Sequence, residues 1–101
     1  MAIVVLIINE EYEVISKIGL IETDEFRKII KIAGHLNMKC LSLADFVGAT
    51  FFNEKQMGVM RQEIAILKKQ ENIDQSALKV IEHAINEGLK DVFLYLKFEG
   101  E

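Results

Sequence analysis

The chain predicts a single α+β domain, with elements in the order ββα(β)ααβ and an antiparallel or mixed sheet carrying its helices mainly on one face. Three observations carry this. The chain opens on a continuous β-branched run and closes on a well-alternated one, while the stretches between them repeat their apolar residues at helical spacing. At 101 residues, half of them hydrophobic and 28% charged, the chain is long enough for one core and too apolar to be disordered. It contains no proline, so turns fall to Gly, Asn and Asp.

Ile3 to Ile8 is apolar at every position, as expected of a strand covered on both faces. Asn9-Glu10-Glu11-Tyr12-Glu13 is turn-like, and Val14 to Ile18 follows as a shorter strand, making a hairpin with an acidic tip. Thr23 or Asp24 is the expected cap of the next helix. Its stripe is Phe26, Ile29, Ile30, Ala33 and Leu36, its opposite face is basic (Arg27, Lys28, Lys31, His35), and Asn37 stops it.

Lys39 to Ala44 is a weakly alternating candidate for the bracketed strand. The run from Asp45 to Met57 reads as an apolar loop, in which Asp45 accepts backbone hydrogen bonds and Gly48 supplies a positive φ. Asn53 and Gln56 form a capping-box pattern ahead of the stripe Met57, Met60, Ile64 and Leu67. Asp74 caps a third helix with the stripe Leu78, Ile81, Ala84 and Ile85, and Gly88 suits its end. Gln70 to Ile73 joins these two helices as an antiparallel pair. Along Val92 to Phe98, the residues Val92, Leu94, Leu96 and Phe98 share one face and Phe93, Tyr95 and Lys97 the other. The first and last strands are the most apolar, which places them at the middle of the sheet.

The lone Cys40 cannot close an internal disulfide, which points to a reducing, cytoplasmic setting and to a buried core thiol. The opening apolar run has no basic region before it and is too short to span a bilayer, so no membrane role is expected. His35 and His83 are isolated, so no metal site is expected; no glycine pattern fits a phosphate loop, so no cofactor is expected either. No nucleophile–base set is visible, and the chain reads as a non-enzyme. The formal charge is −4, distributed as −5 over residues 1–25, +5 over 26–69 and −4 over 70–101. An acidic whole argues against nucleic acid and for a basic protein partner.

The segment Asp45-x-x-Gly48-x-Thr50-x-Phe52-Asn53-x-x-Gln56-Met57, together with the tail Leu94-Tyr95-Leu96-Lys97-Phe98-x-Gly100, resembles a group of small uncharacterised bacterial proteins. The resemblance covers residues 42–101. Members of that group tend to read Asp-Pro-Tyr-Gly-Asp-Thr before Phe-Asn, where this chain has Phe46-Val47 and Ala49. The resemblance implies a bacterial source and a compact α+β domain, and no activity. By analogy alone, small acidic bacterial proteins of this kind often confer immunity to a toxin.

The expected function is therefore a protein-binding domain, most concretely an immunity protein that occludes a basic toxin, such as a nuclease, through an acidic surface. The alternative is a small regulatory or structural interaction domain, homodimeric through sheet edges or helices. The partner-binding candidates are Glu10, Glu11, Tyr12 and Glu13, where an aromatic ring stands among carboxylates that can steer a cationic partner. A second acidic patch combines Glu22, Asp24 and Glu25 with Glu99 and Glu101, and a Met and Phe surface around Phe51, Phe52 and Met57 is the apolar competitor.

Overall fold

The computed structural model describes residues 1–45 and 47–100. Phe46, within the apolar run, and Glu101, within the terminal acidic patch, lie outside the described residues. Two strands, β1 (Ala2–Ile8) and β2 (Val14–Glu22), lead into α1 (Thr23–His35). A short 3-10 turn (Leu41–Leu43) and strand β3 (Ala49–Phe52) follow, then α2 (Glu54–Leu67), α3 (Gln75–Gly88) and β4 (Tyr95–Gly100). The four strands form one antiparallel sheet in the order β2-β1-β4-β3. The first and last strands form the central pair, as expected, although β4 itself carries Lys97, Glu99 and Gly100.

One face of the sheet carries the helices. Ile3, Val5 and Ile7 of β1 and Leu96 and Phe98 of β4 point into a core completed by Phe26, Ile29 and Ala33 of α1, by Met57, Met60, Ile64 and Leu67 of α2, and by the α3 stripe. Phe98 packs edge-to-face with Phe26 and with Phe52, at ring-centroid distances of 4.9 and 5.8 Å. The expected stripes are thus the buried ones, except that Ile30 is half-buried and Leu36 is exposed beyond the last turn of α1.

The helix ends follow local chemistry. Asn53 Oδ1 accepts from Gln56 N–H at 2.9 Å, and Gln56 Oε1 accepts from Asn53 N–H at 2.8 Å, a complete capping box. Asp74 caps α3 through Ser76 N–H. Asn37 has φ 56 and ends α1: its N–H donates to the Gly34 carbonyl and Met38 N–H to Ala33, which is the Schellman arrangement. The cap expected at Thr23 or Asp24 is absent. Strand β2 runs directly into α1, the cap position is Glu22 with no side-chain hydrogen bond, and Thr23 N–H is satisfied by the Met1 carbonyl at 3.2 Å.

Four further expectations are corrected. Lys39 to Ala44 is not a strand; it holds the 3-10 turn, and the bracketed strand is Ala49–Phe52, inside the supposed loop. Strand β2 is longer than Val14–Ile18 and continues to Glu22. Strand β4 begins at Tyr95 because Asp91 turns the chain first, accepting from Phe93 N–H at 2.9 Å and leaving Val92 and Phe93 exposed. Among the described residues no glycine has a positive φ. Gly48 is therefore not a left-handed turn residue, although Asp45 does accept from Val47 N–H at 2.8 Å as expected. Gly88 is the last residue of α3, and packing rather than a left-handed cap calls for glycine there, since a Cβ would lie 2.4 Å from Met57 Sδ.

Glu63 explains why residues 38–44 fold as they do. It is the one charged side chain buried among the described residues, at 5% exposure. Its carboxylate accepts from Cys40 N–H at 3.1 Å and Leu41 N–H at 3.0 Å, tying α2 to the start of the 3-10 turn. A backbone that meets a carboxylate this way satisfies its donors without a sheet partner.

Candidate functional site: the hairpin tip and the open sheet face

The β1–β2 hairpin turns through Asn9 to Glu13. Tyr12 N–H donates to the Asn9 carbonyl and Asn9 N–H to the Glu13 carbonyl, both at 3.1 Å. The Asn9 side chain braces the turn by accepting from Glu11 N–H at 2.9 Å and Glu13 N–H at 3.0 Å, and by donating to Glu13 Oε1 at 3.0 Å. Such a turn needs a left-handed residue at its third loop position, ordinarily Gly or Asn. Here that residue is Tyr12, with φ 63. A bulky side chain in this region costs about 1–2 kcal/mol. The conformation stands the ring, 75% exposed, beside Phe51 of β3, whose centroid is 6.0 Å away at 76°.

Tyr12 overlooks the sheet face that no helix covers. Strand register lays its residues out in rows: Leu20–Val4–Glu99–Ala49, then Lys17–Leu6–Lys97–Phe51, then Val14–Ile8–Tyr95 below the tip. Leu20 and Val14 are exposed, as is Phe51 at 41%; Leu6 and Ile8 are shielded by their neighbours. Lys97 Nζ lies 5.4 Å from the Phe51 centroid and 2.9 Å from Glu99 Oε1. Between the tip and this face is a groove of about 260 Å³, lined by Ile8, Asn9, Glu10, Tyr12, Phe51 and Tyr95.

The four sequence candidates therefore sit together on one exposed turn. Phe51 and Tyr95 join them, although no local pattern connects those two with residue 12. The signal for Tyr95 was its outward parity in the last strand. The expected Met and Phe surface divides: Phe52 and Met57 are core residues, and Phe51 alone faces outward.

The rest of the molecule offers weaker arrangements. Glu22, Asp24, Glu25 and Asp74 line a cleft of about 290 Å³ between the starts of α1 and α3, where Glu25 accepts from Asp74 N–H at 2.7 Å and pairs with Lys28 at 3.3 Å. The hydrogen bond from the Ser76 hydroxyl is the main reason the Asp74 carboxyl titrates below its usual range. Glu99 lies on the open face, apart from this cleft. Cys40 is buried, and its thiol is pushed up by desolvation and then by the Glu63 charge, which makes it a poor nucleophile. Among the described residues no three His, Cys, Asp or Glu side chains converge as a metal set would, and no helix is long and apolar enough to cross a membrane.

No protein-family model, curated protein or solved structure matches this chain.

Proposed function

We propose that the chain is a non-enzymatic binding domain that takes a basic protein on its acidic hairpin tip and open sheet face. In its most concrete form it is a bacterial immunity protein, which covers the cationic active site of a toxin such as a nuclease. The observation that carries this reading is Tyr12: an exposed aromatic, held in a left-handed conformation that costs stability, against a second exposed ring and among three carboxylates. A tip that served only as a turn would place Gly or Asn there. Strain kept at an exposed site is expected where a side chain must be presented to something. Exposed aromatics supply contact energy, and carboxylates around them supply steering and selectivity.

The sheet edges support the face over the edge as the contact surface. Strand β2 breaks register twice along its pairing with β1, and β3 has only four residues. Bulged and short edges resist pairing with another chain, which counts against a homodimer joined edge to edge.

The test is affinity capture by the tagged chain from cells of its source, at low salt, in parallel with a variant carrying Glu10→Lys, Glu11→Lys and Glu13→Lys. The expected result is a basic protein retained by the wild type and lost by the variant. Capture of nothing basic, or equal capture by both chains, contradicts the reading.

A further inference from the structure

We propose that the groove between Tyr12, Phe51 and Tyr95 is a socket for one cationic side chain of the partner, an arginine or a lysine, with the Glu10 carboxylate as its counter-charge. This deepens the binding function above and rests on it.

Size is the first argument. At about 260 Å³, the groove falls below the roughly 300–1,000 Å³ of ordinary small-molecule pockets. It has room for the end of one long side chain and not for an element of secondary structure. Lining chemistry is the second. Three aromatic side chains and Ile8 make an apolar wall, and aromatic rings attract cations. Asn9 spends its side-chain oxygen and amide on its own turn, so it offers little to a neutral polar guest. Glu10 is the ionisable acid in the lining and enters no ion pair among the described residues, while Glu11 and Glu13 stand exposed on the same turn.

One of these rings already receives a cation. Lys97 Nζ sits 5.4 Å from the Phe51 centroid, and Glu99 holds that ammonium at 2.9 Å and offsets its charge. A second cation near Tyr12 and Tyr95 therefore meets a net negative surface, with Glu10 in the lining and Glu11 and Glu13 exposed on the same turn. A phosphate-bearing guest would face the same three carboxylates and be repelled.

The test is a titration of the full chain, followed by amide chemical shifts at low salt. The probes are the capped tripeptide Gly-Arg-Gly, its neutral citrulline counterpart and a single-stranded oligothymidylate. The arginine peptide is expected to move the amides of Glu10, Tyr12, Phe51 and Tyr95, and the citrulline peptide to bind about tenfold more weakly. Glu10→Gln and Tyr95→Leu should each weaken the arginine peptide by roughly three- to tenfold. Tyr12→Ser, at an exposed turn where folding is not at risk, should do the same should Tyr95→Leu disturb the sheet. Equal binding of arginine and citrulline peptides, shifts elsewhere than the groove, no binding, or tighter binding of the oligonucleotide overturns the socket. If the socket fails while the triple lysine reversal still abolishes capture of a basic protein, the binding function stands without it. If capture is indifferent to the reversal, the binding function itself falls.

Discussion

Replacing Glu63 by alanine should be among the most destabilising single changes in this protein. The carboxylate is 5% exposed and accepts from two backbone donors, Cys40 N–H at 3.1 Å and Leu41 N–H at 3.0 Å. A hydrogen bond to a charged group contributes about 1.5–3 kcal/mol, and a buried donor left without its acceptor costs about 1–3 kcal/mol. Two such donors orphaned together give a loss of about 3–5 kcal/mol, a large share of the roughly 5–15 kcal/mol that holds a domain of this size folded. The assay is thermal unfolding followed by circular dichroism, with a melting point expected to fall by at least about 12 °C. Glu63→Gln keeps one oxygen and should lose about half as much. Glu71→Ala, an exposed loop acid, should stay within about 0.5 kcal/mol of the wild type and serves as the control. A Glu63→Ala loss under about 1 kcal/mol would mean that the link from α2 to the 3-10 turn contributes little, and that residues 38–44 are held by burial alone.

Gly58→Ala and Gly88→Ala should act in opposite directions. Gly58 is exposed mid-helix with nothing near an added Cβ, so alanine should stabilise by about 0.5–1 kcal/mol; at Gly88 the Cβ meets Met57 Sδ at 2.4 Å in the core, and alanine should cost about 1–3 kcal/mol. Equal effects in thermal melts would contradict the packing of α3 on Met57. Asn53→Ala should cost about 0.5–2 kcal/mol by removing half of the capping box, and an unchanged denaturation midpoint would sink that assignment. Leu96→Ala should cost about 2–5 kcal/mol and Lys97→Ala far less, because consecutive residues of β4 face opposite sides of the sheet. Asp74 should titrate below the ordinary carboxylate range by NMR, and Ser76→Ala should raise its midpoint. Because its native pKa is the lower one, the stability linked to Asp74 is present above the unfolded value and fades as pH falls through the native one.

What the sequence made legible was local. The capping box at Asn53 and Gln56, the left-handed stop at Asn37 and the buried stripes of α2 and α3 each depend on residues within a few positions of one another. The central place of β1 and β4 agrees with the expectation drawn from the apolar runs at residues 3–8 and 92–98, although only residues 95–98 of the second run lie in β4. Residues 39–44 misled because their conformation is decided by a carboxylate more than twenty positions away. A charge at Glu63, three residues after Met60 and beside Ile64 on the buried stripe, was the available clue. Strand β3 was hidden because four residues with adjacent phenylalanines give no usable alternation. The tip was legible as an acidic turn, but its groove was not. Bringing Tyr12 to Phe51 and Tyr95 takes the sheet order β1-β4-β3, which no short-range pattern encodes.

The central claim is that the hairpin tip recruits a basic protein by charge and anchors it by aromatic contact. The most direct measurement is the association rate of the captured partner with the wild type and with the Glu10→Lys, Glu11→Lys and Glu13→Lys variant, across a range of salt concentrations. At low ionic strength the wild type should associate at least about tenfold faster, and the difference should shrink as the screening length drops below about 10 Å near 0.1 M salt. Circular dichroism and melting point should be nearly the same for both chains, since these side chains are exposed. Equal association rates at low salt would contradict the account.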